Sequence, residues 1–261
     1  MALDFEQKQI VVEGLLLNFY FYKPQGISKE KLIFLHGWRS DSSVWLKFLD
    51  SNKFKNYEIY LIDQPGYGKS EIPKQPFDLE KYAKIVYRFI KELKIEKPII
   101  IGHSFGGAVL IKLASMYPDI LKSMVLIGAS GIRKKEIKKT LFKIIAKSIS
   151  PFFKPKFMHG LRMSLYRMIG SDDYVAAPHL KETYLNIIKE DLTEDLKKIK
   201  NNTLLIWGEK DKDTPLEDGL LMSKNIKNSK LNIIKGAGHF SFITDSDLVA
   251  DYIINFINQN V

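Results

Sequence analysis

Short apolar runs alternate along the chain with longer amphipathic stretches. The runs at residues 31–36, 57–63, 98–103, 124–128, 203–208 and 231–235 are apolar at nearly every position. Such runs are typical of strands that are covered on both faces, as in a parallel sheet. Two earlier runs, at residues 9–12 and 15–22, are joined through Gly14 and predict an antiparallel hairpin. The clearest helical spacing occurs at residues 79–93, 107–117 and 248–257. The sequence therefore predicts an α/β fold with a mostly parallel central sheet flanked by helices.

The segment at residues 131–200 departs from this rhythm. Apolar positions recur at helical spacing over residues 137–149, with lysines between them, and two prolines then interrupt the pattern. Further helical stretches follow around residues 161–169 and 180–188. We interpret residues 131–200 as a helical insertion, and residues 1–130 and 201–261 as a single core domain.

The apolar run at residues 98–103 leads directly into the sequence Gly102-His103-Ser104-Phe105-Gly106, and a helical stretch follows. A G-x-S-x-G pentapeptide in this setting is the pattern of a nucleophile elbow, where a strained serine projects its hydroxyl from the sheet. The two glycines leave room for the sharp chain crossing. The strand before it and the helix after it favour this interpretation over a chance glycine-rich turn. Ser104 is the candidate nucleophile.

A serine hydroxyl needs a base that accepts its proton. Of the five histidines, His239 lies in a loop of small residues after the last predicted strand, where it can reach a nucleophile at the sheet edge. His36 and His103 lie at strand ends and are expected to be structural. His159 and His179 fall within residues 131–200. His239 is therefore the candidate general base.

The acid that orients such a histidine is expected in the loop after another strand. The loop after residues 203–208 carries Asp211 and Asp213, with Glu209 as a remote third choice. Spacing alone does not separate the two aspartates.

An oxyanion hole needs two N–H groups aimed at the developing negative charge. The backbone N–H of Phe105 directly follows the candidate nucleophile, and that of Trp38 follows the strand at residues 31–36. These two groups are the predicted donors.

Composition narrows the chemistry and the partners. Because the chain has no cysteine, disulfides, thiolate catalysis and cysteine-ligated metals are excluded. The net charge is +10, but only five of the 40 basic residues are arginine. Nucleic-acid sites use clustered arginines and exposed aromatic residues, so no nucleic-acid partner is predicted. The basic stretch at residues 137–149 is a weaker candidate for contact with an anionic membrane surface or an acidic carrier protein; packing on the core domain is favoured. The expected localisation is cytoplasmic.

Together these motifs resemble the α/β-hydrolase superfamily over nearly the whole chain. The landmarks stand in the family's order: His36-Gly37-Trp38, the sequence DQPGYGKS at residues 63–70, the elbow at Ser104, Gly208-Glu209-Lys210-Asp211 with Pro215, and Gly238-His239. The resemblance implies that Asp211, three residues after the strand-ending glycine, is the acid rather than Asp213. It also implies that residues 131–200 form a helical cap over the active site.

The likeness to cap-bearing carboxylesterases implies a serine hydrolase that cleaves esters of small to medium apolar acyl groups through an acyl-enzyme, with no metal or organic cofactor. Haloalkane dehalogenases and epoxide hydrolases of this fold carry aspartate where this chain has Ser104, which argues against both activities. Carbon–carbon bond hydrolases and cofactor-free perhydrolases share the layout and stay open as alternatives. A non-catalytic ligand receptor is a third, which the complete set of Ser104, Asp211 and His239 argues against.

Overall fold

The apolar runs form one eight-stranded sheet in a computed structural model that describes residues 3–28, 30–50, 52–133 and 180–259. The strands are β1 (Glu6–Val12), β2 (Leu15–Tyr22), β3 (Lys31–Leu35), β4 (Glu58–Ile62), β5 (Ile99–His103), β6 (Ser123–Ile127), β7 (Asn202–Gly208) and β8 (Ser229–Ile234). Their order in the sheet is β1-β2-β4-β3-β5-β6-β7-β8. β1 and β2 pair antiparallel, as do β2 and β4, and all the other neighbours pair parallel. The predicted hairpin and the mostly parallel sheet are confirmed.

Helices connect the parallel strands and flank the sheet. Numbered along the described residues, they are α1 (Val44–Leu49), α2 (Leu79–Glu92), α3 (Phe105–Met116), α4 (Lys181–Lys189), α5 (Thr193–Leu196), α6 (Leu216–Asn225), α7 (Ser241–Thr244) and α8 (Ser246–Gln259). The N-cap of α2 is Asp78, whose carboxylate accepts a hydrogen bond from the N–H of Lys81 at 2.8 Å. The predicted helices α2, α3 and α8 are confirmed to within about two residues at each end.

The sheet is covered on both faces, as its continuous apolar strands predicted. In β3, Ile33 and Leu35 pack into the core cluster that includes side chains of α2 and α3. Leu32 and Phe34 point the other way, into the cluster that includes α1 and α8. Because successive side chains of a strand face opposite sides, a strand buried on both sides has no polar face.

The predicted insertion at residues 131–200 is described only at its two ends. Its last part forms α4 and α5, and Ile187 and Leu196 are buried in the cluster that also contains α2 and α3. Thr183 Oγ1 accepts a hydrogen bond from the N–H of Phe77 at 2.9 Å, so α4 is attached to the segment before α2. The stretches at residues 137–149 and 161–169 lie outside the described residues. Within the described ranges, no helix has the length and apolar character needed to cross a bilayer.

Candidate active site

Ser104 lies at the sharp turn between β5 and α3. Its backbone has φ 52° and ψ −113°, a conformation that costs energy for any residue other than glycine. The turn is fixed from the neighbouring strand β6, because the N–H of Ser104 donates to the carbonyl of Ile127 at 3.0 Å and the N–H of Ser130 donates to the carbonyl of Ser104 at 3.0 Å. The sequence has thus folded into a strained strand-turn-helix at this serine.

The two glycines of the pentapeptide stand where the chain crosses itself. A Cβ atom on Gly106 would lie 2.3 Å from the carbonyl oxygen of Leu35, and one on Gly102 would lie 2.6 Å from the carbonyl oxygen of Gly106. Both separations are far inside van der Waals contact and involve backbone, which cannot move aside cheaply. Glycine at these positions therefore permits β3, β5 and α3 to approach at the elbow.

His239 and Asp211 are joined by a direct hydrogen bond. His239 Nδ1 lies 2.8 Å from Asp211 Oδ2. Burial alone would raise the pKa of Asp211, but hydrogen bonds from His239 and Thr214 outweigh it, so the pKa is lowered. The carboxylate is therefore ionised at neutral pH. Because an ionised carboxylate accepts only, the proton of a neutral His239 ring belongs on Nδ1 and Nε2 is left as an acceptor.

The loop itself distinguishes the three acids that follow β7. The backbone N–H groups of Asp213 and Thr214 each donate to Asp211 Oδ1 at 2.9 Å, and Thr214 Oγ1 lies 2.9 Å from Asp211 Oδ2. Asp213 contributes its backbone to this arrangement while its side chain is exposed. Glu209 instead accepts from the N–H of Gly236 at 2.8 Å, in an exposed turn. Only Asp211 among these acids contacts His239 through a hydrogen bond.

These aspartates and His239 also offer ligand atoms within 4.8 Å of one another, so they could in principle hold a metal ion. The hydrogen bonds to Asp211 weigh against this, because both of its oxygens are already used by three N–H groups and a hydroxyl. A metal would have to displace the contact with His239.

The other histidines differ in their surroundings. His36 is buried, its Nδ1–H donates to the carbonyl of Gly37, and its Nε2 accepts from the N–H of Gln64 at 3.0 Å. His103 is also buried, and its Nε2 donates to the carbonyl of His239 at 3.1 Å. Burial lowers the pKa of both rings, to about 3 for His103. Both therefore act as neutral structural groups, while His159 and His179 lie outside the described residues.

The predicted oxyanion donors share one pocket with Ser104 and His239. The pocket has a volume of about 710 Å³, and Trp38 and Phe105 both line it. Phe105 is the first residue of α3, where backbone N–H groups have no partner within the helix. The Trp38 ring packs edge-on against Phe105, with ring centroids 5.4 Å apart, and packs at a tilt against Tyr184 of α4, with centroids 5.2 Å apart. The same tryptophan thus walls the pocket and joins the elbow to α4.

Thr214 and Arg133 are among the lining residues that were not identified from the sequence. Thr214 places its hydroxyl 2.9 Å from Asp211 Oδ2, 3.0 Å from the carbonyl of Gly128 and 3.2 Å from His239 Nδ1. Arg133 follows the end of β6 and lines the pocket on the side of α4. The only sequence signal for Thr214 is its place three residues after Asp211, and nothing local distinguishes Arg133 from other basic residues.

Known proteins resemble this chain over most of its length. A family model described as alpha/beta hydrolase fold matches residues 31–153, and one described as TAP-like protein matches residues 188–260. A pimeloyl-[acyl-carrier protein] methyl ester esterase of Wigglesworthia glossinidia brevipalpis is 27% identical, over 92% of this chain and 98% of its own length. A 2-hydroxy-6-oxo-6-phenylhexa-2,4-dienoate hydrolase of Comamonas testosteroni is 25% identical, over 95% of both chains. The solved structure of a thermophilic esterase from Thermogutta terrifontis, 19% identical, shares the fold with a TM-score of 0.74, over 98% of this chain and 99% of that one. The chain is therefore a hydrolase that belongs to the α/β-hydrolase superfamily, as its sequence motifs predicted.

Proposed function

We propose that this protein is a serine hydrolase that cleaves carboxylic esters, with Ser104 as nucleophile, His239 as general base and Asp211 as the acid that orients the base. The observation that carries the proposal is the hydrogen bond between Asp211 and His239, at 2.8 Å, with His239 lining the same pocket as a serine held in a strained elbow. The esterases among the relatives support the ester as substrate class.

The reaction begins with transfer of the Ser104 proton to His239 Nε2, while Ser104 Oγ attacks the ester carbonyl. Ionised Asp211 stabilises the imidazolium that forms. The backbone N–H groups of Trp38 and Phe105 donate to the oxyanion of the tetrahedral intermediate. His239 then gives its proton to the leaving alcohol. In the second half of the reaction, water attacks the acyl-enzyme while His239 accepts a proton from it, and His239 returns that proton to Ser104 as the carboxylic acid leaves. None of these steps requires a metal or an organic cofactor.

The acyl group is proposed to be small to medium in size. Trp38, Tyr184, Ile187 and Ile188 give the pocket an aromatic and aliphatic wall. The whole of residues 131–200 is proposed as the cap that closes the pocket, with α4 as its described part. The residues that would complete the lining, such as Phe152 and Phe157, lie outside the described residues.

The test is hydrolysis of p-nitrophenyl esters from acetate to palmitate by the wild type, Ser104→Ala and Ser43→Ala. Ser104→Ala should lower kcat by at least about 10³-fold, since the nucleophile is lost while binding and the oxyanion donors stay. Ser43 is exposed and its side chain makes no capping hydrogen bond at α1, so Ser43→Ala is the matched control. Ester hydrolysis that persists in Ser104→Ala would refute the proposal.

A carbon–carbon bond hydrolase is the second candidate, because the relative from Comamonas testosteroni acts on a 2-hydroxy-6-oxo-dienoate. The elbow and the pair formed by Asp211 and His239 suit that reaction equally well. A fluorophosphonate that labels Ser104 while no ester is turned over would favour this candidate. The next assay would then follow cleavage of a 2-hydroxy-6-oxo-dienoate by the loss of its absorbance.

A further inference from the structure

Arg133 is held in a fixed position beside the elbow. It lies three residues after Ser130, whose N–H donates to the carbonyl of Ser104 at 3.0 Å. Between them Gly131 adopts φ +129°, and a Cβ there would lie 2.7 Å from Leu192. The carbonyl of Gly131 accepts from the N–H of Leu192 at 2.9 Å. The chain thus leaves β6 along a path fixed at both sides, and it places Arg133 on the wall of the pocket that contains Ser104.

The protein partners of Arg133 are neutral carbonyl groups. Its Nε donates to the carbonyl of Ile188 at 2.9 Å, and its Nη1 donates to the carbonyl of Ile132 at 3.3 Å. Within the described part of the chain, no carboxylate forms an ion pair with this guanidinium. The phenol of Tyr184 and the carboxylates of Asp191, Asp218 and Glu190 act on it through space and raise its pKa, without outweighing burial. Within the described ranges, these two bonds use the N–H of Nε and one N–H of Nη1, which leaves both N–H groups of Nη2 and one of Nη1 for another acceptor.

A partly buried guanidinium lowers the stability of the fold unless an anion binds to it. Burial lowers the pKa of Arg133, although a guanidinium remains charged at any pH at which the protein is folded. A partly buried charge without an ion pair costs folding free energy, and such groups are retained where they serve binding. Arg39, the other cation among the described lining residues, is exposed at the pocket rim, so its charge is already solvated.

We propose that Arg133 binds a carboxylate of the substrate, and that the preferred substrates are half-esters of dicarboxylic acids. This inference rests on the proposed ester hydrolysis and adds a substrate class to it. The planar fork of arginine matches the two oxygens of a carboxylate, and each charged hydrogen bond is stronger than a neutral one. The aliphatic wall formed by Ile187 and Ile188 would contact the methylene chain between the two carbonyl groups. The reacting ester then lies at Ser104 and the carboxylate at Arg133.

The test compares mono-4-nitrophenyl glutarate with 4-nitrophenyl pentanoate, two esters of equal chain length that differ in the terminal charge. The wild type should prefer the glutarate in kcat/KM by about tenfold or more, and Arg133→Met should lose about 10- to 100-fold on the glutarate alone, mainly through KM. Arg133→Lys keeps the charge without the fork and should fall between them. Arg88→Met is the matched control, because Arg88 pairs with Glu13 on the outer surface of α2.

A binding measurement separates this inference from the proposed function. In Ser104→Ala, calorimetry should detect monomethyl glutarate more tightly bound than methyl pentanoate, and the difference should vanish when Arg133→Met is added. If the wild type hydrolysed neither nitrophenyl ester, the same binding result would refute ester hydrolysis and keep the carboxylate site. The carboxylate site is refuted if the wild type shows no preference, if the preference survives in Arg133→Met or disappears in Arg39→Met instead, or if inorganic phosphate competes better than glutarate. Should Arg133→Met fail to fold, a loss confined to the glutarate ester in Arg133→Lys decides the same question.

Discussion

Two loops at the carboxyl edge of the sheet each carry a buried aspartate, and the two carboxylates are stabilised in different ways. Asp63, directly after β4, accepts from the N–H of Ser42 at 2.9 Å, the side chain of Asn18 at 2.8 Å and the N–H of Lys69 at 2.9 Å. These donors come from three separate segments. A Cβ on Gly68 would lie 2.3 Å from the same carboxylate, so the turn closes directly over it. The hydrogen bonds of Asp63 therefore connect distant parts of the chain.

Asp211, after β7, is satisfied mostly by its own loop. The backbone N–H groups of residues two and three positions later bind one oxygen, and the other oxygen is left for Thr214 and His239. Local donors hold the carboxylate in place, while its remaining oxygen faces a group that changes charge during the proposed reaction. Similar residues at similar places in the fold would thus serve stability in one loop and the proposed chemistry in the other, and the origin of the hydrogen-bond donors makes the difference.

Replacing Asp211 should give the largest effect on activity. In Asp211→Asn the amide would present a donor to His239 Nδ1, which would force the proton onto Nε2 and remove the acceptor that Ser104 needs. We expect kcat to fall about 10³- to 10⁴-fold with little change in the free energy of unfolding. Asp213→Asn is the comparison variant and should keep most of the activity, because only the backbone of Asp213 binds Asp211. Steady-state kinetics of both variants would contradict the assignment if Asp213→Asn had the larger loss.

Replacing Asp63 should lower the stability of the fold rather than the activity. Asp63→Asn would turn one accepting oxygen into an amino group that faces an N–H donor in a buried site, so we expect the free energy of unfolding to fall by about 2 to 4 kcal/mol. Activity per folded molecule should change little, since Asp63 does not line the pocket. Urea unfolding measures the loss, and Asp41→Asn, whose carboxylate accepts one exposed hydrogen bond, is the control. Equal losses of unfolding free energy in the two variants would show that the hydrogen bonds to Asp63 do not stabilise the fold more than an exposed one does.

The sequence predicted the sheet and the elbow well because both depend on local pattern. Strands covered on both faces are apolar at every position, and the glycines around Ser104 mark a crossing that other residues would obstruct. Four of the described helices, α1, α5, α6 and α7, were not predicted. α1 has six residues, and α5 and α7 have four each, so all three are shorter than two turns. α6 carries Gly219, where a Cβ would lie 2.7 Å from the Trp207 ring, so the residue type at this position reflects close packing rather than helical periodicity.

The choice between Asp211 and Asp213 could not be made from spacing, because both lie within one short loop after the same strand. What separates them is the turn itself, in which two N–H groups fold back onto Asp211. Thr214 and Arg133 have roles that depend on contacts across the fold. Thr214 reaches the carbonyl of Gly128 after β6, and Arg133 reaches the carbonyl of Ile188 in α4. A single sequence carries no local trace of such contacts.

His103, which lies beside His239, should make the stability of the fold depend on pH. The ring centroids of His103 and His239 lie 4.7 Å apart, and burial, followed by the effect of His239, lowers the pKa of His103 to about 3. The unfolded chain takes up this proton near pH 6.5 and the folded chain does not, so stability falls as the pH drops below that value. His103 should account for a loss of about 2 kcal/mol between pH 6.5 and pH 5. Urea unfolding at several pH values should show a smaller loss in His103→Gln, and parallel profiles would contradict the prediction.

Replacing Thr214 should have the smallest effect on activity. Its hydroxyl contacts the Asp211 carboxylate and lies near His239, which changes charge in the proposed reaction. Thr214→Val keeps the side-chain shape and the backbone N–H bond to Asp211 but removes the hydroxyl near Asp211 Oδ2 and His239 Nδ1. One lost hydrogen bond to a carboxylate should lower kcat about tenfold and raise the pKa of Asp211, because its ionised form is less well stabilised. Thr214→Ser keeps the hydroxyl and should stay near the wild type. The pH dependence of kcat for both variants tests this, since a purely structural role would lower kcat equally in the two variants and leave the acid limb of the profile unmoved.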